Sequence, residues 1–195
     1  MSDAEVRQRL VGILAADAAG YARLMAADER ATVARLDLAR RVFRNHIEAH
    51  RGRVIDMAGD SVLAVFESAI GAISAALAVQ RDLATSHDAG HKDLDLQFRI
   101  GVHLGDVIET ADGTAYGNGV NIAARLQTLA EPGRITVSDA MREAVRGKVA
   151  VGFVDQGEQE VKNIPHRVRV FSVRSDEDAA QTAAAAPMFS PQPAP

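Results

Sequence analysis

The sequence predicts an α+β fold: a ferredoxin-like split βαβ sheet with helices packed on it, extended by further β-strands and helices. Three observations carry this expectation. Strand-like and helix-like segments follow one another in the order β-α-β-β-α-β, with more of both types afterwards. The stretch Arg53–Phe66 (RVIDMAGDSVLAVF) reads as two apolar strands around Gly59-Asp60, where glycine reaches positive φ at no steric cost. Leu96–Glu109 (LQFRIGVHLGDVIE) sets Leu96, Phe98, Ile100, Val102 and Leu104 on one face at period two. An antiparallel-containing sheet with its helices on one face is the expected result.

Each element has a local reason. Residues 1–10 read as a polar arm, and Leu10–Ala16 as a short buried strand ending at Asp17. Ala18, Ala19, Gly20 and Tyr21 follow, small enough for the most part to let the backbone turn tightly. Asp28 can cap a helix running to about His50, with Val33, Leu36, Ala39, Phe43 and Ile47 on one face; Gly52 stops it. After the hairpin, Ser68 can cap a helix to about Ser86, with Ile70, Ile73, Leu77 and Leu83 inward. His87–Asp95 is a polar loop before the period-two strand, which Gly105-Asp106 is expected to kink. A loop over 110–116 and Gly117-Asn118-Gly119 lead into a helix over Val120–Ala130, ended by Glu131-Pro132-Gly133. Ile135–Val137 is a strand, Ser138 caps a helix to about Arg146, and Val149–Val154 and Glu160–Lys162 frame a turn at Gln156-Gly157. Val168–Val173 is the last strand. Residues 175–195 hold little to bury and read as a disordered Ala/Pro-rich tail or linker, so the folded domain is expected over 11–174.

Composition narrows the function. The chain has 195 residues, 47% hydrophobic and 25% charged, as one ordinary globular domain would. A net charge of −4, two Tyr and no Trp argue against a nucleic-acid partner. There is no run near the roughly 18 apolar residues of a membrane span, so no membrane contact is expected from this segment. Cysteine is absent, which removes disulfides and thiolate chemistry and fits a reducing, cytoplasmic setting. His46, His50, His87, His91 and His103 share no metal-ligand spacing, and His103 falls on the non-core face of its strand. Surface or loop duty is expected of them, and a turn or ion pair of Asp106.

Two pairs of residues suggest chemistry. Asp17 ends the first strand and Asp60 tips the hairpin between the second and third. In a split βαβ sheet the first and third strands are neighbours, so the two carboxylates can hold one or two divalent cations with substrate phosphates. The plainer reading of Asp60 is an acid favoured by a turn. Asn121 and Arg125 are an i, i+4 pair on one helix. Arg125 reads either as a surface arginine lying over its own helix or as a guanidinium that clamps transferring phosphate.

In order, LAADAAGY (Asp17), AGDSVLAVF (Asp60), FRIGVHLGDV, YGNGVNIAARL (Asn121, Arg125) and GEQEVKNI (Lys162) together resemble the class III nucleotidyl cyclase catalytic domain, over about Val11 to Arg174. The resemblance implies cyclisation of a nucleoside triphosphate, ATP favoured, to the 3′,5′-cyclic monophosphate with release of pyrophosphate. It implies two divalent cations, Mg2+ or Mn2+, with Asp17, Asp60 and Ala18 at the metal site. It assigns Ala19, Gly20, Tyr21 and Lys162 to the phosphates, Asn121 to the ribose, and Arg125 to charge developing on the α-phosphate. It also implies a head-to-tail homodimer, in which one copy supplies the metal acids and the other supplies Asn121 and Arg125. Separately from the resemblance, the composition of 175–195 suits either a tail or a linker to a further C-terminal domain.

The chain departs from the family pattern where the base is read. Adenylyl cyclases usually carry Lys where this chain has Asp56; the partner position, Thr114, matches some subgroups. A lysine donates to adenine N1, whereas an ionised aspartate only accepts. A guanylyl or other-base cyclase, and a weakly active nucleotide-binding regulatory module, are the alternative expectations.

Overall fold

The computed structural model describes residues 7–85, 96–161, 164 and 166–174. Its elements are β1 (Arg7–Ala18), α1 (Tyr21–Ala27), α2 (Glu29–Ala49), β2 (Gly52–Asp56), β3 (Ser61–Phe66), α3 (Ala69–Thr85) and β4 (Phe98–Glu109). There follow β5 (Ala115–Tyr116), α4 (Asn118–Leu129), β6 (Ile135–Ser138), α5 (Asp139–Val145), β7 (Gly152–Gln159) and β8 (Val168–Arg174).

Local capping explains where the helices begin. Asp28 accepts from the Ala31 amide at 3.0 Å, Ser68 from the Gly71 amide at 3.0 Å, and Ser138 from the Met141 amide at 3.3 Å. Each satisfies an amide that the first helical turn leaves without a backbone partner.

The strands form one sheet in the order β2-β3-β1-β4-β6-β8-β7, with β5 paired to β4. All neighbours are antiparallel except β4 and β6. The split βαβ arrangement therefore holds, with β1 between β3 and β4. The main core fills one face, where Leu14, Phe66, Phe98 and Ile100 of the sheet meet Phe43 and Ile47 of α2, Ile73 and Val79 of α3, and Met141 of α5. Full burial of each such side chain is worth roughly 1.5–3 kcal/mol. Phe43 and Phe98 meet edge to face with centroids 5.0 Å apart.

Several local expectations are corrected by long-range packing. The helices do not share one face: Ala123 of α4 packs with Val11, Ile13 and Ala15, on the opposite side of β1 from Leu14 and Ala16. Gly101 makes this seat possible, because a Cβ there would lie 2.3 Å from the Ala123 carbonyl oxygen and the Gln127 amide. Arg7–Leu10 belong to β1 rather than to an arm, paired with Asp106 to Glu109 across β4. Val33 is exposed and Thr32 takes the inward position on α2; Ile70 is likewise exposed on α3. Gln156-Gly157 is a bulge inside β7 rather than a turn, because both sides of it pair with the one strand β8. His87, His91 and the residues of the tail lie outside the described residues.

Candidate active site

Strand register brings Asp17 and Asp60 to one end of the sheet. Asp17 is paired with Ser61 across β1 and β3, and the Ala18 amide donates to the Asp60 carbonyl at 3.1 Å. The Ser61 amide and hydroxyl both donate to the Ala58 carbonyl, at 3.1 and 2.8 Å, which closes the turn around Gly59 and Asp60. Gly59 has φ 59°, the left-handed region where glycine is favoured. Arg40 of α2 donates to the Gly59 carbonyl, so the turn is tied to the helix beneath it. The Asp60 carboxylate is half-buried and has no hydrogen bond or ion pair among the described residues.

Asp17 is engaged. Ala16 and Ala18 point into the main core, so alternation turns Asp17 to the α4 face of the sheet. Arg99, directly opposite on β4, meets it with a two-pronged ion pair: Nε donates to Oδ1 at 3.0 Å and Nη2 to Oδ2 at 2.7 Å. Both side chains keep partial access to water, 23% for Asp17 and 30% for Arg99.

The stretch expected to cradle phosphates has fewer free amides than the motif suggests. The Ala18 amide is spent on Asp60, and the Ala19 amide donates to the Gln97 carbonyl at 2.8 Å. Gly20, at φ 68°, and Tyr21 then lead into α1. Lys162 lies outside the described residues.

Asn121 and Arg125 stand elsewhere. Ile122, Ala123, Leu126 and Gln127 of α4 are buried against the sheet, which turns Asn121 and Arg125 to solvent. Neither side chain has a hydrogen-bond or ion-pair partner among the described residues. Within one chain the structure thus brings Asp17 and Asp60 together and does not bring Arg125 to them.

Asp56 and Thr114 are held by a third arrangement. Asp56 is exposed at the end of β2, beyond a bulge after Val54, and its side chain has no partner among the described residues. The loop carrying Thr114 closes on Asp112, which accepts from the Thr114 amide at 3.1 Å and the Thr110 hydroxyl at 2.5 Å; these bonds hold the Asp112 carboxyl below its usual range. Arg53 of β2 donates to the Gly113 carbonyl at 2.7 Å and to Glu109 at 3.0 Å, tying that loop to the strand of Asp56. No hydrogen bond joins Asp56 to Thr114 among the described residues.

Sequence reasoning passed over Arg99, Arg40 and Arg53. Arg99 did carry a signal: it alternates with Phe98 and Ile100, so it had to leave the core face near the end of the neighbouring strand. His103 needs correction. It is buried, its Nδ1 lies 2.8 Å from the Ser138 hydroxyl, and burial lowers its pKa from 6.5 to about 4. The non-core face of β4 is not a surface, because α4 covers it. His46 pairs with Asp82 at 2.7 Å.

Among the described residues no three His, Cys, Asp or Glu side chains gather into a ready metal cage. Two carboxylates at neighbouring strand ends are hard oxygen donors of the kind that hold Mg2+ or Mn2+ together with substrate phosphates.

Residues 4–175 match the family model of the adenylate and guanylate cyclase catalytic domain. The chain is 41% identical over 174 residues to "Putative adenylate cyclase 3" of Rhizobium meliloti, covering 88% of this chain and 29% of that protein. It therefore spans under a third of the length of that relative. Among solved structures, an adenylate/guanylate cyclase/hydrolase from Silicibacter pomeroyi is similar at TM-score 0.82 and 37% identity, covering 88% of this chain and 100% of that one. The adenylyl cyclase CyaB of P. aeruginosa (TM-score 0.77, 20% identity, 87% and 95% covered) and the guanylyl cyclase Cya2 (0.76, 20%, 87% and 93%) share the fold.

Proposed function

Because the chain belongs to the adenylate and guanylate cyclase catalytic-domain family, we propose that it cyclises a nucleoside triphosphate, ATP favoured, at sites shared by two copies of itself. The 3′-oxygen of the ribose attacks the α-phosphorus, the bond to the bridging oxygen of the β-phosphate breaks, and pyrophosphate leaves. The hydroxyl proton passes to solvent or to the leaving phosphate.

The observation that carries this reading is the division of the site. Asp17 and Asp60 share one strand end, while Asn121 and Arg125 face outward on α4, unpartnered among the described residues. A head-to-tail dimer lets the α4 face of one copy meet the strand end of the other, twice by symmetry. Asp17 and Asp60 would hold two divalent cations, Mg2+ or Mn2+, which supply an activated 3′-oxygen and neutralise the pyrophosphate. Asn121 orients the ribose, and Arg125 donates to the α-phosphate as charge builds there. Gly20 and Tyr21, with Lys162, contact the outer phosphates.

One observation favours a second base. Asp56 is exposed, unpartnered among the described residues, and an acceptor when ionised, which suits the N1–H and amine of guanine. Thr114, with donor and acceptor in one hydroxyl, suits either purine. No helix among the described residues is long and apolar enough to cross a membrane; a nucleoside triphosphate substrate places the domain in the cytoplasm. In this reading the catalytic domain begins with β1 at Arg7 and runs to Arg174, and 175–195 are a tail or linker.

The test is incubation of the purified chain, at high protein concentration, with manganese and ATP or GTP. A cyclic monophosphate from either nucleotide is expected, and more from ATP. No cyclic product from either would leave a nucleotide-binding regulatory module in place of the enzyme.

A further inference from the structure

Among the described residues Arg99 is the charged group that pairs directly with the proposed metal site, and nothing in the reaction above uses it. Its guanidinium fork faces Asp17 squarely, with one donor on each carboxylate oxygen. That edge of the carboxylate is also the edge a divalent cation approaches, and a dication and a guanidinium repel each other there. Asp60, at the same strand end, meets no such cation among the described residues. The two acids thus differ in the metal-free state: one is open and the other is covered.

The ion pair is not needed to hold the sheet. β1 and β4 are paired over twelve residues, and Asp17–Arg99 is the last but one of those pairs. A pair that keeps this much access to water adds little to stability. It does fix the rotamer of Asp17 and neutralise its charge while no metal is bound.

Resting on the reading of Asp17 as a metal ligand, we propose that Arg99 is a positioning residue that latches Asp17 in the metal-free state and is exchanged for the incoming cation. No bond is made or broken in the exchange beyond hydrogen bonds and coordination. Cation affinity in the absence of nucleotide is thereby kept low.

The test reads metal binding without turnover. Manganese alone is titrated into the protein, and free Mn2+ is followed by its paramagnetic resonance signal. Arg99→Gln removes the charge and the fork; Arg99→Lys keeps the charge but loses the two-pronged geometry. Both are expected to bind Mn2+ about five- to tenfold more tightly than the natural chain, the lower range of a typical coupling between two ligands. Unchanged or weaker binding in the two variants would overturn the latch. Tightening in Arg99→Gln alone would also overturn it, since a positive charge nearby, rather than the paired fork, would then explain the effect. If Arg99→Gln fails to fold by circular dichroism, Arg99→Lys decides alone. Asp17→Asn separates the two readings. If it binds Mn2+ like the natural chain, Asp17 is no ligand and the parent reading fails. If it loses Mn2+ while the Arg99 variants stay unchanged, only the latch fails.

Discussion

The strand end that carries Asp17 and Asp60 and the helix that carries Asn121 and Arg125 are built in opposite ways. At the strand end the contacts that fix the backbone and Asp17 are internal. Ladder pairing sets Asp17 against Ser61, Ala18 bonds to Asp60, Arg40 ties down Gly59, and Arg99 grips Asp17. On α4 only the inner side is engaged. Ala123 and Gln127 ride over Gly101, and Asn121 and Arg125 point away. The first region is positioned by its own chain. The second presents groups whose side chains meet no hydrogen-bond or ion-pair partner among the described residues, as half of a shared site would.

The sharpest way to break this contrast is to remove one group from each side. Asp17→Ala and Arg125→Ala should each lower turnover by about a thousandfold or more, the range seen when a phosphoryl-transfer group is lost. Mixed in equal amounts and allowed to exchange, the two inactive chains should recover about a quarter of natural activity, because half the dimers would hold one intact site. A cyclic-nucleotide assay of the mixture checks this; no recovery would place both halves in one chain.

A next contrast lies beneath α4. His103 packs under the α4 side, with its pKa lowered to about 4 by burial. Its folded pKa is below the unfolded value of 6.5, so the unfolded chain takes up the proton first as pH falls. The stabilisation is complete above pH 6.5 and is lost as pH drops towards 4, at most about 3 kcal/mol. Urea unfolding at pH 7 and pH 4.5 should show the loss, and His103→Leu should flatten that part of the profile.

Gly101→Ala tests the seat itself. With 2.3 Å to the backbone of α4, the added methyl must push the helix away, at a cost of about 1–3 kcal/mol. Thermal unfolding reads the stability, and Mn2+ binding at the strand end should stay near natural while turnover falls. The smallest expected effect is on base choice. Asp56→Lys should raise the ATP to GTP turnover ratio about tenfold, by trading an acceptor for a donor; an unchanged ratio would remove Asp56 from the base pocket.

Much of the fold was legible because its causes are local. Asp28, Ser68 and Ser138 announce helix starts through bonds made within three residues, and the alternation from Leu96 to Leu104 names the buried face of β4. What went unread depends on contacts distant in sequence. Val33 fits a helical face as well as Thr32 does, until α2 is docked and one of them is turned outward. The bulge at Gln156-Gly157 looks like a turn until β8 pairs with both of its sides. His103 sits on the non-core side of a strand, which is solvent in a sheet with one covered face and interior once α4 lies across the other.

By itself the sequence determined the split βαβ order, the hairpin with Asp60 at its tip, and the i, i+4 alignment of Asn121 with Arg125. These follow from period, turn chemistry and helical pitch, all set within a few residues. Only the tertiary structure decided that Asp17 meets Arg99, that α4 covers the second face, and that Arg53 ties the Thr114 loop to the strand of Asp56. The Arg53–Gly113 and Asp17–Arg99 contacts join residues 60 and 82 positions apart, and Ala123 of α4 reaches back to Val11, Ile13 and Ala15 of β1. Their geometry comes from strand register and helix docking, which no local pattern specifies.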